Sequence, residues 1–221
     1  MNTHRLLGVV IICLACASLH GQSLEPRPLF VEAYTNPLSY VPGEEVALHV
    51  STSAPKYSLE VARLGAMREV VLTKTGLDGQ EHPVPENASS HGCAWPAALR
   101  FAIPADWKSG YYSISLTVED RGGEFVQRGR RTASGEAFFV IRATQPGQSS
   151  QILLQLATNT YNAYNNWGGH SLYAYHARAK LQGHRVSFDR PPSSQFGNWE
   201  LPFVAWAEAN GFQLALSKTC R

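Results

Sequence analysis

Residues 106–120 read DWKSGYYSISLTVED, and their alternation decides the fold class. Ser109-Gly110 is a turn signal. Beyond it, Tyr112, Ile114, Leu116 and Val118 share one face of an extended chain by period two. A helix would scatter these four side chains around its axis, whereas a strand gathers them on one buried face. The same texture continues on both sides. Upstream lie LFVEAY (29–34), EVALHVST (45–52), YSLEVARL (57–64), EVVLTK (69–74) and LRFAIP (99–104); downstream, EAFFVIRA (136–143) closes the series. Between the first two runs, NPLSYVPGEE (36–45) is dense in turn formers, and Pro42-Gly43 sets the entry to the next strand. Seven short strands separated by Gly, Pro and Asp clusters predict an antiparallel β-sandwich over residues 27–143, with Trp95, Trp107 and Tyr111 in its core.

After residue 143 the pattern changes. TQPGQSS (144–150) has the composition of a linker. QILLQLA (151–157) is a continuous apolar run, expected as a strand buried on both faces. A loop follows, then LYAYHARAKLQGH (172–184) with room for a helical turn, and RVSFDRP (185–191) as a short strand. NWELPFVAWAEANGF (198–212) reads as an amphipathic helix. Its inward set is Leu201, Val204, Ala205 and Ala209, Asn198 is the N-cap, and Asn210-Gly211 is the stop. FQLAL (212–216) begins a second strand. Strand, helix, strand predicts a parallel pair opening an α/β domain over residues 151–221. One crossover cannot cover a parallel sheet on both faces. The domain is therefore expected to be incomplete, either a fragment of a longer protein or completed by a partner chain. Pro104–Gly110 resembles the strand entry common in immunoglobulin-like domains, a likeness of architecture that carries no function.

The amino terminus reads as a secretory signal over residues 1–22. His4 and Arg5 precede an apolar core from Leu6 to Ala17, with Ala15 and Ala17 offering a cleavage site and Gly21 a second one. That core is short for a bilayer span, so the mature chain is expected to be secreted or periplasmic, without a stable membrane anchor. Outside the signal only Cys93 and Cys220 remain, and no disulfide and no cysteine metal motif is expected. With 19 Lys and Arg against 17 Asp and Glu, the charges balance and scatter, which argues against a nucleic-acid partner.

The loop carries the chemistry. TYNAYNNWGGHSLY (160–173) sits at the carboxyl end of the first parallel strand, where open α/β sheets place ligands. Tyr161, Tyr164 and Tyr173 offer hydroxyls that can bond or meet a metal. Asn162, Asn165 and Asn166 offer amide donors and acceptors; Trp167 is a flat apolar wall; and Gly168-Gly169 permits backbone angles closed to other residues. Packing of the aromatics as a small core is the alternative. Asp189, Glu200 and Glu208 admit an acid–base pair of the glycosidase kind, but Glu208 lies on a helix with solvated neighbours and Asp189 is placed for local pairing. His170, His176 and His184 lack helical metal spacing. No nucleophile elbow and no phosphate loop is present.

Taken in order, PGEEVALHVSTSAPKYSLEVARLG (42–65), TYNAYNNWGGHSLY, RVSFDRP and FVAWAEANGF (203–212) resemble the large (beta) subunit of bacterial N,N-dimethylformamidase, from about Tyr34 to Leu216. The resemblance implies an amidohydrolase that splits a small tertiary amide into amine and formate at a mononuclear iron held by two tyrosines and a glutamate. Tyr164 matches one tyrosine ligand and Tyr173 the second, leaving Tyr161, Asn165, Asn166, Trp167 and His170 as the substrate-binding set. The carboxylate is expected in a G-H-D-E-Y-W segment after the second strand. The chain ends before that segment, so it is expected to be inactive as it stands. A non-catalytic protein that stacks carbohydrate on Trp167 and the tyrosines is the competing reading.

Overall fold

The computed structural model describes residues 28–120 and 131–218, so the signal segment and Cys220 lie outside the described residues. Along the chain come β1 (Val31–Thr35), β2 (Ser39–Tyr40), β3 (Glu45–Thr52), β4 (Lys56–Leu64), β5 (Arg68–Asp78), a one-turn helix α1 (Ala88–His91), β6 (Ala97–Ala102), β7 (Gly110–Asp120) and β8 (Arg131–Ile141). There follow β9 (Ile152–Leu156), α2 (Thr158–Tyr164), a 3-10 turn at Arg178–Lys180, α3 (Phe196–Trp199), α4 (Leu201–Ala209) and β10 (Leu214–Lys218).

The first eight strands form two sheets, β1-β3-β6 and β2-β8-β7-β4-β5. Their inner faces share one core. Val46, Leu48 and Val50 of β3 face the four alternating residues of β7, where Tyr112 and Val118 are each 1% exposed and Ile114 and Leu116 are fully buried. Each such side chain contributes roughly 1.5–3 kcal/mol by leaving water, which is why the period-two reading of this segment holds. The expectation of a purely antiparallel arrangement fails at one edge. The chain leaves the first sheet after β1, and β2 pairs with β8 in parallel, Ser39 beside Val140 and Tyr40 beside Ile141.

The outer face of the larger sheet is covered too. Tyr111 of β7 and Phe138 and Val140 of β8 join Leu156, Tyr161, Phe196, Val204, Ala207 and Leu216 in a second core. Tyr111 stacks on Phe196 with ring centroids 4.0 Å apart. The end of β8 is therefore buried on both faces, which explains why EAFFVI abandons alternation.

Strands β9 and β10 pair in parallel, Ile152 beside Leu214 through Leu156 beside Lys218. This is the only parallel pairing beyond β8 among the described residues; the larger parallel sheet is not seen there. β9 is not buried on both faces, since its burial alternates and Leu153 is 63% exposed. Nor is RVSFDRP a strand. It lies along the α1 loop instead, with the Ser187 N–H donating to Ser89 O and the Cys93 N–H donating to Asp189 O. The single helix expected over 198–212 breaks at Glu200 into α3 and α4. Pro202 has no N–H to bond back, so a new helix starts around it. The buried pair on α4 is Val204 and Ala207, rather than Ala205 and Ala209. Gly211 stops the helix with a φ of +81°. Among the described residues, no helix is long and apolar enough to cross a membrane.

Candidate functional site

The expected loop opens as helix α2, directly after β9. Its inward face carries Thr158, Tyr161 and Asn162. Tyr161, 4% exposed, packs edge-on against Phe138, so it belongs to the second core. Its hydroxyl and Glu200 Oε2 are both buried without a well-directed bond. They lie close enough that burial first, and the Glu200 carboxylate second, push the phenol pKa far up.

Tyr164, at the end of the helix, points away from that core. Its ring lies 4.4 Å from that of Tyr173, centroid to centroid, so the two tyrosines expected to act together meet. Two neighbours join them. Tyr175 lies 6.4 Å from Tyr164 and 5.6 Å from Tyr173, and the His176 ring is 5.3 Å from Tyr164 and 4.6 Å from Tyr175. The Tyr164 pKa is raised above the ordinary phenol value, chiefly by the neighbouring Tyr175 phenol, while Tyr173 acts in the opposite sense. The group faces solvent: Tyr173 is 39% and Tyr175 66% exposed.

The backbone is stapled to bring these rings together. The Ser171 hydroxyl and the Leu172 N–H both donate to Ala163 O, at 2.7 and 3.1 Å. Asn166 Nδ2 donates to His176 O at 2.9 Å. Gly168 and Gly169 take φ of +79° and +101° between these ties, and a Cβ on Gly168 would lie 2.9 Å from the Ser89 nitrogen. Glycine is required there by both conformation and space.

Beneath the loop lies Arg190, 1% exposed. Its guanidinium donates to the carbonyls of Ser187, Trp167, His170, Asn162 and Asn165, and to the Asn162 side-chain oxygen. A planar fork with five N–H donors suits this convergence of acceptors. Burial pulls its pKa down to about 10, which leaves it charged at neutral pH. The loop from Asn162 to His170 is wrapped on this cation.

The remaining candidate residues take other positions. The buried Asn165 donates to Pro191 O and accepts from the Trp167 N–H, as a turn-forming residue. Trp167 donates its indole N–H to Glu32 at 2.8 Å and meets Trp95 edge-on, which anchors the loop to the outer face of the smaller sheet. Beside it opens a hollow of about 600 Å³ lined by Glu32, Glu86, Asn166, Trp167 and Arg178. His170 Nδ1 lies 3.4 Å from Leu181 O. Glu208 pairs with Arg63 of β4 and accepts from the Ala66 N–H at 2.8 Å. Glu200 Oε1 accepts from the Ala157 N–H at 3.4 Å. Glu208 therefore makes a structural pair, while Glu200 is held by this long backbone bond, and Cys93 is a buried free thiol.

Sequence reading missed Tyr175 and Arg190, and it weighed His176 only as a zinc ligand or a polar loop residue. The signal for Tyr175 was Y-A-Y-H, whose tyrosines stand two apart on a turn, with the His176 N–H donating to Tyr173 O at 3.0 Å. Among the described residues, no group of three or more His, Cys, Asp or Glu is arranged to hold a metal. The donors gathered here are phenols.

Comparison with known proteins gives one family. The family model described as N,N-dimethylformamidase beta subunit-like, C-terminal, matches residues 58–219. No curated protein matches the chain. Among solved structures, the crystal structure of Spo0M, a sporulation control protein from Bacillus subtilis, aligns at 15% identity over 51% of this chain and 49% of that one, with a TM-score of 0.32.

Proposed function

The chain belongs to the N,N-dimethylformamidase beta subunit-like, C-terminal family, and from that premise we propose that it is an exported part of an amide hydrolase whose iron is held by Tyr164 and Tyr173. The observation that carries this reading is the meeting of those two rings at 4.4 Å on a solvent-facing surface. Phenol oxygens are hard donors suited to iron, and the Tyr164 and Tyr173 rings lie side by side. Iron bound there would supply Lewis acidity toward an amide carbonyl.

The chain's own residues then have definable tasks. Tyr164 and Tyr173 offer two oxygens on one side of the loop. Asn166 lines the hollow beside Trp167 and has one amide hydrogen tied to the backbone oxygen of His176, whose ring lies against Tyr164. Its position suits a small amide entering from that hollow. An immunoglobulin-like layout of the two sheets and a secretory leader complete the proposal.

The test is metal content and amine release together. The purified chain, reconstituted with iron and desalted, should retain iron, and Tyr164→Phe should lose it. The full-length polypeptide should release amine from small tertiary amides in an iron-dependent way. Failure of the wild-type chain to retain iron would overturn the reading in favour of a non-catalytic ligand-binding surface.

A further inference from the structure

Where the sandwich meets the second half of the chain, the geometry points to a second binding site: a cleft that takes an acidic saccharide between Lys108 and Arg142, apart from the tyrosine loop.

The cleft encloses about 870 Å³, within the range of pockets that hold a small organic ligand. Four segments wall it: the turn before β7, the stretch after β8, the end of α4 and the approach to β10. No residue between 160 and 190 lines it.

Its charged residues are Arg63, Lys108, Arg142 and Glu208, so three cations face one carboxylate. Arg63 and Glu208 are spent on each other. Both Nη groups of Arg63 donate to that carboxylate, and Nη2 donates also to Ser109 O at 3.2 Å. The pair makes a neutral floor. Arg63 Nε is buried there with no partner among the described residues, so the floor keeps one unused donor. Lys108 and Arg142 are exposed, and among the described residues neither has an ion-pair partner. Their two charges are therefore left to the cleft. A concave wall focuses such a field on whatever enters it, where a convex surface would disperse it into solvent.

The rest of the wall is neutral and polar. Gln145, Gln148, Ser149 and Ser150 belong to TQPGQSS, the stretch whose composition reads as a linker. The stretch is folded into a turn, with the Gln148 N–H donating to Gln145 O at 3.4 Å and Gly147 at a φ of +87°. None of those four side chains bonds elsewhere among the described residues. Amides and hydroxyls both donate and accept, as sugar hydroxyls require. Trp107, braced by its stack on Tyr112 at 5.3 Å, and the exposed Phe212 add flat apolar surface. An inorganic anion has no use for the rings and amides. A neutral sugar leaves Lys108 and Arg142 without a partner. A sugar that carries a carboxylate uses both sets.

Isothermal titration calorimetry of the whole chain decides this, with trigalacturonate, maltotriose and sodium sulfate as separate titrants. Wild type is compared with Lys108→Gln, Arg142→Gln and Tyr173→Phe. The two cleft residues are exposed, so their variants should keep the wild-type fold, checked by far-UV circular dichroism. Trigalacturonate should bind wild type and Tyr173→Phe alike, and binding should weaken as sodium chloride is raised. Each cleft variant should lose about tenfold in affinity, as expected when a hydrogen bond to a charged group is removed. The cleft is disproved as the site if trigalacturonate does not bind, if Lys108→Gln and Arg142→Gln bind it like wild type, or if Tyr173→Phe alone loses it. Maltotriose binding as tightly would remove the role of charge, and sulfate binding as tightly would overturn the saccharide class.

Discussion

Arg190 shows how one buried charge can shape a site without touching it. Its donors serve five carbonyls of the loop and its flank. Arg190→Met would leave these acceptors buried and unpaired, and it should destabilise the chain by about 3 kcal/mol or more, read as a lower urea midpoint. Arg190→Lys should recover part of the loss, because an ammonium reaches fewer of the carbonyls. Nothing in D-R-P-P marks this arginine as buried; its role arises only when the loop folds over it. Glu208 was similarly opaque. Its helix neighbours read as solvated, yet it pairs with the largely buried Arg63. Burial raises the Glu208 carboxyl, but the Arg63 bonds and the Ala66 N–H outweigh it and hold the pKa below the ordinary value. The stabilisation is therefore complete above the usual carboxylate range, near pH 4.3, and is lost as pH falls through the folded-state value. Urea midpoints taken between pH 7 and 3 should fall further for wild type than for Glu208→Gln; equal slopes would remove the pair from the account.

At the scale of elements, the strands were legible and the second half less so. β7 could be read because alternation and two-sided layering agree. α2 could not, because Thr, Asn and Tyr are weak helix formers, and only the burial of Thr158, Tyr161 and Asn162 against the larger sheet makes the segment helical. RVSFDRP has strand-like alternation at Val186 and Phe188 but no neighbouring strand to pair with, and the α1 loop takes its hydrogen bonds. The tyrosines were legible as a chemical cluster, though which of them would meet was not: Tyr161 and Tyr164, three apart on one helix, face opposite environments. The glycine pair was legible for its physical reason. Gly168→Ala should cost about 1–2 kcal/mol from the positive φ alone, and more from the approach to Ser89. A thermal melt checks this. An unchanged midpoint would mean that the loop is free to take another path.

The whole molecule is organised around the larger sheet, which serves two cores at once. Tyr111 and Phe138 lie on its outer face and Tyr112 and Phe139 on its inner face, so loss of one core is felt by the other. Phe196→Ala, which removes the ring stacked on Tyr111, should destabilise by about 3–5 kcal/mol, with near- and far-UV signals melting together. Separate transitions would show that the two cores unfold independently. The central claim is that this scaffold presents Tyr164 and Tyr173 as a pair of iron ligands. Resonance Raman spectroscopy of the iron-loaded chain tests it most directly. Phenolate ring modes should be enhanced within the visible band, reduced in Tyr173→Phe and absent in Tyr164→Phe. Iron bound without phenolate modes, or with modes untouched by either substitution, would contradict it.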